Sequence, residues 1–229
     1  MKKRRILLNV FILLVAAFFA YHAFSYVRLR RDGDASEALY RSAAKSFSKE
    51  ENPWDDMKSK FPHAVGWIRS SDGKVDYPVV RGEDNETYLR RAADGEENVF
   101  GSIFMDYRNT GFADPFVMVY GHMTKDGSMF GSLNAFKADG DVPSFEYSER
   151  VGHYRGEPVL AAVIDGETLI DPRDYGDFNK RAEFYHKLKQ DAVFDTGYEL
   201  KKEDHLVILV TCSYERHNVR LAVVTVSGK

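Results

Sequence analysis

HLVILVTCSYERHNVRLAVVTV, residues 205–226, contains two stretches, Leu206 to Thr211 and Arg220 to Val226, whose apolar residues are continuous rather than alternating. Short runs rich in Val, Ile and Leu and bounded by polar residues read as central strands covered on both faces. A tight hairpin through Ser213–Val219 would set the second strand beside the first and bring Arg220 close to Cys212. Working outward, the same texture recurs as VGWIRS (65–70), VDYPVV (75–80), NVFGSIFMDYR (98–108), FVMVYGH (116–122) and EPVLAAVI (157–164), separated by Gly, Asp, Asn and Pro. Many short strands with frequent turns predict a mainly β domain, and Ser71-Asp72-Gly73-Lys74 is a good turn between the first two runs. Residues 177–191 break the pattern with Phe178, Ala182, Tyr185 and Leu188 at helical spacing, which predicts an inserted surface helix capped by Asp177.

Upstream, Lys2, Lys3, Arg4 and Arg5 precede an apolar run from Ile6 to Val27 interrupted by Asn9, His22 and Ser25. At 1.5 Å per residue a helix over that run is roughly 33 Å long, enough to cross a hydrocarbon core of about 30 Å. An uncleaved signal-anchor is expected; a signal peptide cleaved near Ala20 or Ala23 is the alternative. Basic residues flank both ends and slightly favour the N-terminus inside, with the remainder of the chain exterior. Residues 35–51 predict a modestly amphipathic helix ended by Asn52-Pro53, and Trp54, Met57 and Phe61 a second short one. The expected organisation is therefore 1–31 cytoplasmic tip and membrane anchor, 32–62 helical stalk or pack-on element, and 63–229 one β domain.

The 229 residues carry a net charge of −3, but residues 1–31 hold seven basic and no acidic side chains. The rest of the chain is acidic, which argues against a nucleic-acid binder. The single cysteine excludes an intrachain disulfide and a thiol-based zinc cluster. A lone cysteine in an apolar run is more often core than nucleophile. Yet Cys212 and His122 both stand where a strand hands over to a loop, and Arg220 is a suitable oxyanion donor. His217 is the rival base. No phosphate-binding loop or GxSxG motif is present, and Asp106, Asp114 and Asp126 have no calcium-loop spacing, so they read as solvated loop carboxylates. No metal and no cofactor are expected.

Tyr120-Gly121-His122, followed by Lys125 to Phe136 (KDGSMFGSLNAF), closely resembles the histidine segment of class B sortases. Asp76 to Val80, Asp84-Asn85 with Tyr88-Leu89, Gly101 to Arg108, and Thr211-Cys212 with Arg220 resemble the family's other segments in order, over roughly residues 53–229. The resemblance implies a closed β-barrel of about eight strands with an N-terminal helical element and an inserted surface helix. It implies a membrane-bound cysteine transpeptidase of Gram-positive cells with Cys212 as nucleophile, His122 as general acid/base and Arg220 as oxyanion or substrate-orienting residue. Asn85, Tyr120, Thr211 and Ser213 are the expected substrate contacts. The implied partners are surface-protein precursors with a C-terminal sorting motif, Asn-Pro-x-Thr-Asn-like or Ser/Pro-Pro-x-Thr-Gly-like, and an amine of the peptidoglycan cross-bridge or its lipid-linked precursor. Leu209-Val210, Met123 and Ser213 depart from the residues common at those places, which bears on the sorting motif rather than on the catalytic groups. A hydrolytic thiol peptidase, a pilin-polymerising enzyme and a non-enzymatic anchored protein are the alternatives.

Overall fold

The computed structural model describes residues 2–48, 53–138, 140–213 and 218–228. Helices α1 (Lys2–Phe47) and α2 (Pro53–Lys60) lead into strands β1 (Ala64–Ser70), β2 (Asp76–Val80), β3 (Ile103–Met105), β4 (Phe116–Tyr120), β5 (Phe145–Glu149) and β6 (Gly152–Asp165). Helix α3 (Phe178–Lys189) then precedes β7 (Ala192–Asp195), β8 (His205–Ser213) and β9 (Val219–Gly228). Eight strands follow one another in the order β5-β1-β2-β3-β4-β8-β9-β6, and the β5–β6 pairing closes the ring. Strand β7 pairs with β6 outside that ring. The expected closed barrel, with helices leading in and one inserted, is what the chain forms.

Strands β8 and β9 show why residues 205–226 do not alternate. Val207, Leu209, Leu221 and Val223 join a core with Trp67, Phe112, Phe145 and Tyr147, whereas Leu206, Ile208, Val210, Ala222 and Val224 pack with Phe116, Tyr185 and Leu188 under α3. Both faces are buried, so a polar residue at any of these positions would lose its water. The α3 boundary follows the predicted cap, since Asp177 Oδ1 accepts from the amides of Asn179 and Lys180. The inward face differs from the expected one: Arg181 is buried with Tyr185 and Leu188, while Phe178 is only half-buried. Its guanidinium is accommodated because it donates to the carbonyls of Tyr175, Gly176 and Lys202.

Helix α1 runs without a break through the expected boundary between anchor and stalk at residues 31 and 32. Its first half is long and apolar enough to cross a membrane and is exposed throughout. Its second half docks on the barrel. The Asp32 carbonyl accepts from Asn98 Nδ2 at 3.1 Å, and the buried Tyr40 hydroxyl donates to the Gly101 carbonyl at 3.2 Å while accepting from the Ala93 amide at 3.1 Å. Phe47 stacks on Trp67 with ring centres 4.4 Å apart. Segment 93–102 is thereby pinned from outside. That matters because it lies next to the 84–89 loop of the site.

Candidate active site

Strands β4 and β8 are parallel neighbours, paired from Phe116 with Leu206 to Tyr120 with Val210, and the Gly121 amide donates to the Val210 carbonyl at 3.1 Å. His122 and Cys212 each lie two residues past that last pair, so the parallel register delivers them to one level of the barrel rim. On the other side of β8, antiparallel pairing puts Cys212 directly opposite Arg220. Adjacent strands are about 4.8 Å apart, so the three backbones span roughly 10 Å. The side chains of Cys212 and Ser213, and all of residues 214–217 including His217, lie outside the described residues.

His122 is half-buried, and its Nε2 lies 2.7 Å from the Leu89 carbonyl. A carbonyl only accepts, so Nε2 carries a proton, and in the neutral ring Nδ1 holds the lone pair. Proton exchange at this histidine therefore runs through Nδ1. The Leu89 carbonyl is itself set by a tight backbone approach. Gly101 has φ +58°, and a Cβ there would stand 2.6 Å from the Tyr88 oxygen and 2.7 Å from the Leu89 oxygen. Gly101→Ala is expected to cost about 2 kcal/mol or more, lowering the melting temperature by roughly 4–8 °C, and to displace the acceptor of His122. Thermal melts measure the first and the 15N shifts of the His122 ring the second. A variant as stable as wild type would contradict it.

Behind the rim lies a polar centre that sequence reasoning misplaced. Asp106 follows β3 and is not a solvated carboxylate: it is fully buried. Its Oδ2 accepts from Asn85 Nδ2 (2.8 Å), from an Arg108 terminal nitrogen (2.7 Å) and from the Tyr120 hydroxyl (3.1 Å). Its Oδ1 accepts from Arg108 Nε (2.8 Å) and from the Arg108 amide (3.0 Å). Burial opposes the charge, but the donors of Arg108 and Asn85 outweigh it and hold the carboxyl below its ordinary range. The hydrogen bond to Asp106 in turn raises Arg108. Burial and the Asp106 charge raise the Tyr120 phenol, against the opposing fields of Arg108 and Arg220. The opposite charges two residues apart in Asp106-Tyr107-Arg108 were the available signal.

The remaining expected contacts fall as follows. Tyr120 ends β4 beside this centre, within the field of Arg220. Asn85 is engaged inward: besides donating to Asp106, its Oδ1 accepts from the Tyr107 amide at 3.1 Å. Thr211 is buried, and its hydroxyl has no hydrogen-bond partner among the described residues. Among the described residues no cluster of His, Cys, Asp and Glu is placed to hold a metal ion. Asp114 accepts from Thr110 and Asn109, and Asp126 from Ser128, as local loop caps.

No family model matches the sequence. The chain is 30% identical over 166 residues to Sortase B of Listeria monocytogenes, covering 70% of this chain and 67% of that one. It is 23% identical over 235 residues to Sortase B of Staphylococcus aureus, covering 98% and 96%. Among solved structures, sortase B from Bacillus anthracis in complex with AAEK1 superposes with a TM-score of 0.77 at 27% identity, over 87% of this chain and 99% of that one. A Staphylococcus aureus sortase B–substrate complex shares the fold with a TM-score of 0.72 at 22% identity, over 86% and 94%.

Proposed function

The chain belongs to the class B sortases, a family of cysteine transpeptidases, and on that premise we propose that it cleaves a C-terminal sorting motif after threonine and joins the surface protein to a peptidoglycan amine. The observation that carries this reading is the strand register, which brings His122, Cys212 and Arg220 to one level of the rim. The Cys212 thiolate attacks the threonine carbonyl, and the oxyanion that forms is met by the Arg220 guanidinium. His122, protonated at Nδ1, gives that proton to the departing amine as the C–N bond breaks, leaving a thioester on Cys212. The incoming amine attacks the thioester, His122 takes its proton, and the thiolate leaves as the new amide forms. Water is the competing acceptor and gives the free acid.

The motif is Asn-Pro-x-Thr-Asn-like or Ser/Pro-Pro-x-Thr-Gly-like, and Asn85, Tyr120, Thr211 and Ser213 are the substrate contacts carried over from the family. Asn85 contributes through the groove wall rather than by free polar atoms, since both ends of its amide are engaged inward, whereas the buried Thr211 hydroxyl has no partner among the described residues. Helix α1 serves as the anchor, N-terminus inside and barrel outside, which places the enzyme beside membrane-held precursors and lipid-linked acceptors. Its apolar first half and its contacts from Asp32 onward support that role.

Incubation of the enzyme with peptides of both motif types, with and without an oligoglycine or diaminopimelate-type amine, tests the reading by mass spectrometry. Cleavage after threonine and an amine-dependent adduct are expected. Cleavage that yields only acid at saturating amine identifies a hydrolytic thiol peptidase instead, and intact peptide in every arm defeats the enzymatic reading.

A further inference from the structure

The carboxylate of Asp106 and the guanidinium of Arg108 contact three segments that border the rim. Through Asn85 they hold the 84–89 loop, which supplies the Leu89 carbonyl to His122. Through the Tyr120 hydroxyl they hold the last residue of β4, two positions before His122. Arg108 also donates to the Ile170 carbonyl at 2.8 Å and pairs with Asp171 at 3.3 Å. That segment descends from β6, where Ile164 is paired with Arg220, and it meets the hairpin again where the Gly166 amide donates to the Asn218 carbonyl at 2.8 Å. Asp171 is steadied by Arg173, which donates to both of its oxygens. One ion pair, its carboxylate fully buried and its guanidinium partly so, thus joins the elements that carry the acid/base, its carbonyl partner and the segment flanking Arg220.

A buried ion pair is a poor source of stability, since desolvation cancels much of the attraction. Its usefulness lies in geometry. Three hydrogen bonds from Arg108 fix the carboxylate within its own segment, and two more, from Asn85 and Tyr120, tie two further segments to it more tightly than apolar contacts, which tolerate sliding. Loss of about 1 Å in the placement of an acid/base is costly to rate while leaving peptide binding largely intact. We propose that Asp106 and Arg108 are positioning residues of the active site, registering His122, through Tyr120 and the Leu89 carbonyl, against Cys212 and Arg220. This rests on those three residues being the active site.

Asp106→Asn keeps the shape and removes the charge; Arg108→Lys keeps the charge and removes the fork. In Asp106→Asn, kcat for a sorting peptide should fall about 10- to 100-fold with KM within threefold, and Arg108→Lys should lose less. A second readout does not depend on turnover. The 15N shifts of the His122 ring should report the Nε2–H tautomer in wild type and a mixed population in Asp106→Asn. A variant that melts earlier yet keeps wild-type kcat and a pure Nε2–H tautomer makes the pair merely structural and overturns the proposal. If Asp106→Asn does not fold, an unchanged kcat and tautomer in Arg108→Lys overturn it equally. An inactive wild type whose His122 tautomer still responds to Asp106→Asn would instead sink the transpeptidase reading and leave the positioning role standing.

Discussion

Replacing Cys212 by alanine is expected to abolish peptide cleavage and transfer, with a loss of at least about 10⁴-fold, because the proposed acyl intermediate is a thioester on that residue. Two readings of this cysteine compete. As a core residue it would lose a small apolar side chain on mutation, costing about 1 kcal/mol and leaving chemistry intact. As a nucleophile it would leave stability nearly unchanged and remove the reaction. The backbone favours the second. Cys212 sits at the end of β8 beyond its last pairing with β4, opposite Arg220 rather than inside the doubly buried run from Leu206 to Thr211. A strand end is rigid on one side and open on the other, which suits a group that must meet a peptide. Cleavage of a fluorogenic sorting peptide and a melt of the same protein measure both quantities. Residual activity above one per cent of wild type, with a normal melt, would end the assignment of Cys212 as nucleophile.

What the sequence disclosed follows from where each signal is physically strong. The two-faced strands β8 and β9 were legible because burial on both sides leaves the runs Leu206–Val210 and Leu221–Val224 within them wholly apolar. Helix α3 was legible because a capping aspartate and a helical period coincide. Strands β5 and β7 escaped because FEYSE exposes alternate polar residues and AVFD is only four residues long, so neither carries a hydrophobic run. The β5 strand is nevertheless what closes the barrel. The unbroken passage of α1 into the helix that docks on the barrel was hidden because the apolar run ends at Val27 and the amphipathic pattern resumes only at residue 35. At the site the side chains could be named, but their partners could not. The Leu89 carbonyl is backbone and has no residue-type signature, and the burial of Asp106 depends on Asn85 and Tyr120, 21 residues before it and 14 after. Charged residues near Gly and Asn look solvated until the fold shows what surrounds them.

His122→Ala is the second large effect, expected to lower kcat/KM by about 10²- to 10⁴-fold, the usual worth of a positioned acid/base. The loss has two separable parts. On the proposed pairing an imidazolium at His122 favours the Cys212 thiolate, so its removal should raise the thiol's pKa toward the free value of about 8.5 and slow alkylation at neutral pH. The alkylation curve of His122→Ala should therefore lie at higher pH than that of wild type; superimposable curves would sink the pairing of the two groups. The second part is proton donation to the departing amine. With Nε2 committed to the Leu89 carbonyl, only Nδ1 is available for it. An amine leaves poorly without a proton, whereas an alcohol leaves more readily. The deficit of His122→Ala on an ester of the same peptide should accordingly be at least tenfold smaller than on the amide. Equal deficits on the two substrates would confine His122 to holding the thiolate and pass the proton to another donor. A deficit that shrinks on the ester while the alkylation curve still shifts requires both roles of one ring, exercised through one nitrogen because Leu89 holds the other.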